Sequence, residues 1–134
     1  MSRTNFENLR VYKLSEELAD EIWTIVLRWD RFARNTVGKQ IVRSADSVGA
    51  NIAEGTGRHD FQDNRRFVKI ARGSLNETQH FLRRAFKRKL LTSADAEKIK
   101  PVVGNRHHNL MLAGSQLDAI TRPCSCHCQL LTAD

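Results

Sequence analysis

The stretch from Gln40 to Gly57, Q-I-V-R-S-A-D-S-V-G-A-N-I-A-E-G-T-G, limits the fold more than any other part of the chain. Val37, Ile41, Ser44, Val48 and Ile52 recur at steps of four and three, the spacing of one helix face. Between them lie Ala45, Ser47, Gly49, Ala50 and Ala53. Such a run of small side chains lets a neighbouring backbone come close. Gly in a helix interior costs about 1 kcal/mol relative to Ala, so Gly49 is expected to have a packing reason. Gln40, Arg43, Asn51 and Glu54 share this helix with its apolar face. Polar groups beside a core need partners, so these four are expected to form a hydrogen-bonded network. Gly55 and Gly57 predict the helix end, through a left-handed cap.

Three further helices follow from the same periodicity. The first is predicted from Leu9 to Trp29, with Tyr12, Ser15, Ala19, Ile22, Val26 and Trp29 on one stripe and Glu16, Glu17, Asp20 and Glu21 opposite. Arg28, Arg31 and Arg34 then lead into a loop, and Thr36 is the expected N-cap of the second helix. The third runs from an Asp60 cap to about Lys89, with Phe67, Ala71, Ser74, Thr78, Phe81 and Ala85 as its stripe and Val68, Leu75, Leu82 and Phe86 beside it. The fourth is capped by Thr92 or Ser93 and continues to Arg122, interrupted or restarted at Pro101. Four amphipathic helices with short connections predict an all-α, antiparallel up-down four-helix bundle over residues 1–122, followed by a loose tail over 123–134.

The outer row of the third helix, Arg65, Lys69, Arg72, Asn76, Gln79, Arg83 and Lys87, contains no acid and spans about 33 Å at 1.5 Å per residue. Arg84 and Arg88 lie close by. Stacked cations repel one another unless phosphates or a neighbour's acids neutralise them. With a net charge of +7 over 134 residues, the row points to nucleic acid. The candidate contacts are Arg65, Lys69, Arg72, Arg83, Arg84, Lys87 and Arg88. The competing expectation is a scaffold in which the row pairs with Glu17 and Asp20 of a neighbouring subunit. The first ten residues carry Arg3, Glu7 and Arg10 rather than an apolar core, and no run of about 18 apolar residues occurs. All three cysteines lie in the tail, so the core needs no disulfide. A cytoplasmic protein without membrane association is expected.

Catalytic and metal readings are weak. Glu77 and His80 form an E-x-x-H, but a di-iron bundle needs a second such pair and two more inward Glu residues. Cys124, Cys126, His127 and Cys128 crowd four donors into five residues, a spacing that rarely wraps one tetrahedral ion. Gly55-Thr56-Gly57-Arg58 has neither the preceding strand nor the following Lys-Ser/Thr of a phosphate loop. No catalytic residue, metal or cofactor is expected.

Asn51-Ile52-Ala53-Glu54-Gly55, preceded by Arg43-Ser44-Ala45 and Ser47, resembles the signature of the four-helix bundle proteins encoded by 23S rRNA intervening sequences. Phe67, Ala71, Gly73-Ser74-Leu75 and Glu77 are similar to that family's third helix, and Asn5-Phe6, Leu9 and Tyr12 to its start. The superfamily includes the accessory variability determinant of diversity-generating retroelements. The resemblance implies a ring-like homo-oligomer, a pentamer, with a non-enzymatic role on structured RNA or RNA–DNA and a reverse transcriptase as a further partner. Read physically, Gln40, Arg43, Asn51 and Glu54 would reach Glu77 and Ser74 as a buried network that sets how the two helices register.

Overall fold

The structure, a computed structural model, describes residues 6–100. The predicted tail, Pro101 and the remainder of the fourth helix lie outside the described residues. A single 3₁₀ turn, Phe6–Asn8, precedes α1 (Arg10–Leu27). A short α2 (Arg31–Ala33) passes through a π turn (Arg34–Gly38) directly into α3 (Lys39–Thr56). Then comes α4 (Phe61–Lys87), and residues 93–100 are again helical, α5. The described residues contain helices and no strands.

Both α1 and α4 pack on α3. The core joins Leu18, Ile22, Ile25 and Val26 of α1, with Trp29 just past its end, to Ile41, Ala45, Val48 and Ile52 of α3, and to Ala71, Leu75, Leu82 and Ala85 of α4. Ile99 of α5 completes it. Small residues set the spacing. A Cβ on Gly49 would stand 3.0 Å from the Ser15 hydroxyl oxygen of α1. One on Gly55 would stand 2.9 Å from the Phe67 Cβ of α4 and 3.2 Å from Asn64 Oδ1. The helix-interior glycine at 49 therefore has the packing reason its cost implied.

Three expectations are corrected. The helix expected to begin at Thr36 begins at Arg31, because Asp30 is the stronger cap: its carboxylate accepts from the Phe32 and Ala33 N–H groups. Thr36 lies inside the π turn, which also buries Val37 and Gly38. The left-handed cap at Gly55 and Gly57 does not form. Gly55 is inside α3, and Gly57 stays right-handed at φ −76°. Its N–H is shared between the Ala53 and Glu54 carbonyls, so the last turn tightens and satisfies the helix end without a left-handed residue. The buried stripe of α4 is Asn64, Val68, Ala71, Ser74, Leu75, Thr78, Leu82 and Ala85. Phe67 and Phe81 are half-buried at its edge, and Phe86 is 58% exposed. The close approach of α3 favours small side chains on the contact line and moves the rings aside.

The end of α4 uses a left-handed residue that is not glycine. Lys89 has φ 59°. The Leu90 N–H bonds the Ala85 carbonyl and the Lys89 N–H bonds the Phe86 carbonyl, the paired bonds of a Schellman cap. Thr92 then caps α5 reciprocally. Its N–H donates to the Asp95 carboxylate at 3.0 Å, and its hydroxyl accepts from the Asp95 N–H at 3.1 Å. Arg28 reaches the same carboxylate at 2.6 Å and ties the end of α1 to α5. Burial alone would raise the Asp95 carboxyl. The bonds from Arg28 and Thr92 outweigh it and hold the carboxyl below the usual carboxylate range.

Two stability measurements follow. Lys89→Gly relieves the left-handed strain and should stabilise by up to about 1 kcal/mol, whereas Gly55→Ala must push Phe67 aside and should destabilise by about 1–3 kcal/mol in urea titration. Asp95→Asn should lower the melting temperature at pH 7. Because the folded carboxyl is depressed, its contribution is present above the unfolded value of about 3.9 and fades as the pH falls through the folded one. The gap between wild type and variant should therefore close below about pH 4 in thermal melts.

Candidate nucleic-acid interface

Helix α4 is long, begins at the Asp60 cap and turns its apolar side to α3. The amphipathic pattern then fixes what faces outward. The helix holds two acids, Asp63 and Glu77, against seven Arg and Lys. Arg65, Lys69, Arg83, Arg84 and Lys87 are exposed, as is Arg88 just past the helix. Arg72 differs: it is half-buried, and its Nε has no hydrogen-bond partner among the described residues. The row could be masked only by acids that reach it. The ion pairs among the described residues are Arg28–Asp95, Arg58–Glu54 and Lys100–Glu97, and these leave the α4 cations unused. Glu77 is exposed on α4 itself. The result is an open ridge of exposed cations along the outer side of α4.

The acids lie elsewhere. Glu16, Glu17 and Asp20 are exposed on α1. Asp46 of α3 is close enough to Asp20 to feel its charge. Partial burial first, and the Asp20 carboxylate second, raise the Asp46 carboxyl above its usual range.

The expected polar network is built from other side chains. Gln40, Arg43, Glu54 and Glu77 are all exposed. Glu54 pairs with Arg58 one turn along its own helix, and the Arg58 guanidinium sits over the Phe67 ring at 5.4 Å. The α3–α4 contact is bridged instead by hydroxyls. The Thr78 hydroxyl donates to Ser44 Oγ at 3.0 Å, and the Ser47 and Ser74 hydroxyls are 3.0 Å apart. Of the predicted set Asn51 and Ser74 take part, Asn51 donating from Nδ2 to the Ser47 carbonyl at 2.7 Å and to its Oγ at 3.0 Å. Short hydroxyl side chains suit this seam because long charged ones could not fit between backbones so close. The sequence signal was present: Ser44, Ser74 and Thr78 sit within apolar stripes.

Glu77 and His80 are exposed, and His80 meets the Phe81 ring edge-on at 5.3 Å. Among the described residues no three His, Cys, Asp or Glu side chains stand close enough to share a metal ion. The Cys124, Cys126, His127 and Cys128 group lies outside the described residues. A shallow pocket at the end of α3 is lined by Phe6, Ala50, Ala53, Glu54, Gly57 and Arg58. No described helix is long and apolar enough to cross a membrane.

Residues 7–108 match the model of the 23S rRNA-intervening sequence protein family. The chain belongs to that family. A crystal structure at 1.70 Å of a protein of unknown function from Bacteroides thetaiotaomicron VPI-5482, assigned to the S23 ribosomal protein family, superposes with a TM-score of 0.68 at 26% identity. The match covers 78% of this chain and 95% of that one. No curated protein matches. The Asn51-Ile52-Ala53-Glu54-Gly55 run lies within the matched residues.

Mutations should separate the seam from the surface. Thr78→Val keeps the shape but strips the hydroxyl, and should cost about 1–2 kcal/mol. Arg43→Ala and Glu54→Ala should each stay within about 0.5 kcal/mol, since both side chains are exposed. Chemical denaturation of the three variants gives the comparison.

Proposed function

We propose that the chain is a non-enzymatic adaptor that binds structured RNA through the cation ridge of α4. The observation that carries this reading is the ridge itself: exposed Arg65, Lys69, Arg83, Arg84, Lys87 and Arg88, with no ion pair to them among the described residues. Keeping like charges stacked along one helix costs stability, and a phosphate backbone offsets that cost. The family's association with 23S rRNA intervening sequences supports RNA over other polyanions. Arg72 contributes through its guanidinium at the edge of the ridge.

In this reading α1, α3, α4 and the helix begun at residue 93 complete an antiparallel bundle, and the bundle assembles as a ring, a homopentamer, in the cytoplasm. Repetition of the ridge around a ring multiplies the charge presented to one RNA. A reverse transcriptase, as for the accessory variability determinant of diversity-generating retroelements, is the protein partner that such an RNA or RNA–DNA complex would bring.

One observation favours a second reading, a protein–protein scaffold. Asp20 and Asp46 lie near each other on the α1–α3 side with no ion pair to either among the described residues, and would accept cations from another copy.

Filter binding with a structured RNA at several salt concentrations tests the RNA reading. Affinity should fall by orders of magnitude between about 50 and 200 mM salt, with weak dependence on base sequence. Reversing the charge of Arg65, Lys69, Arg83 and Lys87 together should abolish binding while leaving the circular dichroism spectrum unchanged. No binding at low salt, or binding untouched by the reversal, would favour the scaffold.

A further inference from the structure

The corner between α1 and α2 plays no part in the ridge. Phe32 stands there 78% exposed, more than any other large hydrophobic side chain among the described residues. Its backbone is pinned on both sides. The N–H donates to the Asp30 carboxylate at 2.8 Å, and the carbonyl accepts from the Thr36 hydroxyl at 2.8 Å. The ring therefore projects from a fixed mount instead of swinging on a loose loop. Arg31 and Arg34, three residues apart on the same turn, are both exposed.

Asp30 is occupied as the cap, accepting two backbone N–H groups. Arg28 is spent on Asp95. Among the described residues no ion pair takes Arg31 or Arg34. What remains is one exposed aromatic face on a held backbone, beside two uncommitted guanidinium groups.

That combination selects a chemistry. Every nucleobase has a π-face that can stack on an aromatic ring, and arginine can bind phosphate or stack in turn. A duplex keeps its base faces covered, so the ring has nothing to stack on there. A single strand or an unpaired loop exposes them. The cationic setting favours such a polyanion over an apolar protein face. The geometry points to a second nucleic-acid contact at this corner, where the Phe32 ring stacks an unpaired base and Arg31 and Arg34 hold the adjoining phosphates. This rests on the RNA reading of the chain and deepens it: the α4 ridge takes backbone charge from any RNA, while the corner takes unpaired segments. The pinned backbone has no ordering left to do on binding, so the freedom lost is that of one side chain.

Fluorescence anisotropy with two labelled probes tests it, a twelve-nucleotide oligouridylate and a twelve-base-pair RNA duplex. Phe32→Ala and Phe32→Leu should weaken binding of the single strand about five- to a hundredfold and leave the duplex unchanged, and Phe32→Tyr should keep both. Arg31→Ala with Arg34→Ala should flatten the salt dependence for the single strand. Single-strand affinity unchanged in Phe32→Ala, or kept in full by Phe32→Leu, would overturn the inference, since a greasy side chain of similar size would then suffice. Loss of single-strand binding together with a lower mass in sedimentation would also overturn it, and would make the corner an interface between copies. If wild type binds both probes and only the Phe32 result fails, the ridge reading survives alone. If wild type binds neither probe, both fall.

Discussion

The fold depends on how closely α3 can approach its two neighbours. A methyl group at Gly49 would crowd the Ser15 hydroxyl of α1, and one at Gly55 would have to displace Phe67 of α4. At that distance apolar burial is efficient because voids are small. The same closeness brings Ser44 to Thr78 and Ser47 to Ser74. Each of these hydroxyls could bond its own helix, and several do, so no group is stranded if the seam breathes. Yet both cross-helix bonds form together only in this register. Sliding α4 by one turn would bring Ser74 opposite Ser44 or Thr78 opposite Ser47, and would keep one hydroxyl pair at most. The seam thus sets alignment more than it sets total stability.

A fixed seam has an electrical consequence. With one side of α4 committed to α3, its arginines and lysines have only the outer side to occupy. The acids of α1 cannot fold back to them, because α1 packs on α3. Asp46 feels the like charge of Asp20, which adds to burial in raising its carboxyl. Opposite charges are held apart on one small body. A molecule built this way carries unspent electrostatic energy that a partner can release, whether a phosphate backbone on the α4 side or a cation on the α1 side.

Helix ends were harder to read than helix faces. The residues on the stripes of α1 and α3 fell where their periodicity put them, since burial of an amphipathic face dominates the energy of a helix this long. Ends depend on smaller terms that compete. Asp30 and Thr36 are both good caps, and only the continuous path through the π turn shows that Asp30 wins. Gly57 and Lys89 invert the usual assignment, the glycine staying right-handed and the lysine turning left-handed. The second inversion follows from the Schellman bonds of Leu90 and Lys89, which fix the backbone whatever side chain it carries.

By itself the sequence determined the helical class, the close-packed α3 face, the cation row of α4 and the family, because each is written in spacing or composition along a single segment. Only the tertiary structure decided which polar residues meet. Arg43, Glu54 and Glu77 have the longer reach and the stronger charges, and looked like the natural partners. The seam is too narrow for them, and hydroxyls occupy it. Which side chains touch across two helices depends on a distance and a rotation between separate segments, and no periodicity within one segment encodes either.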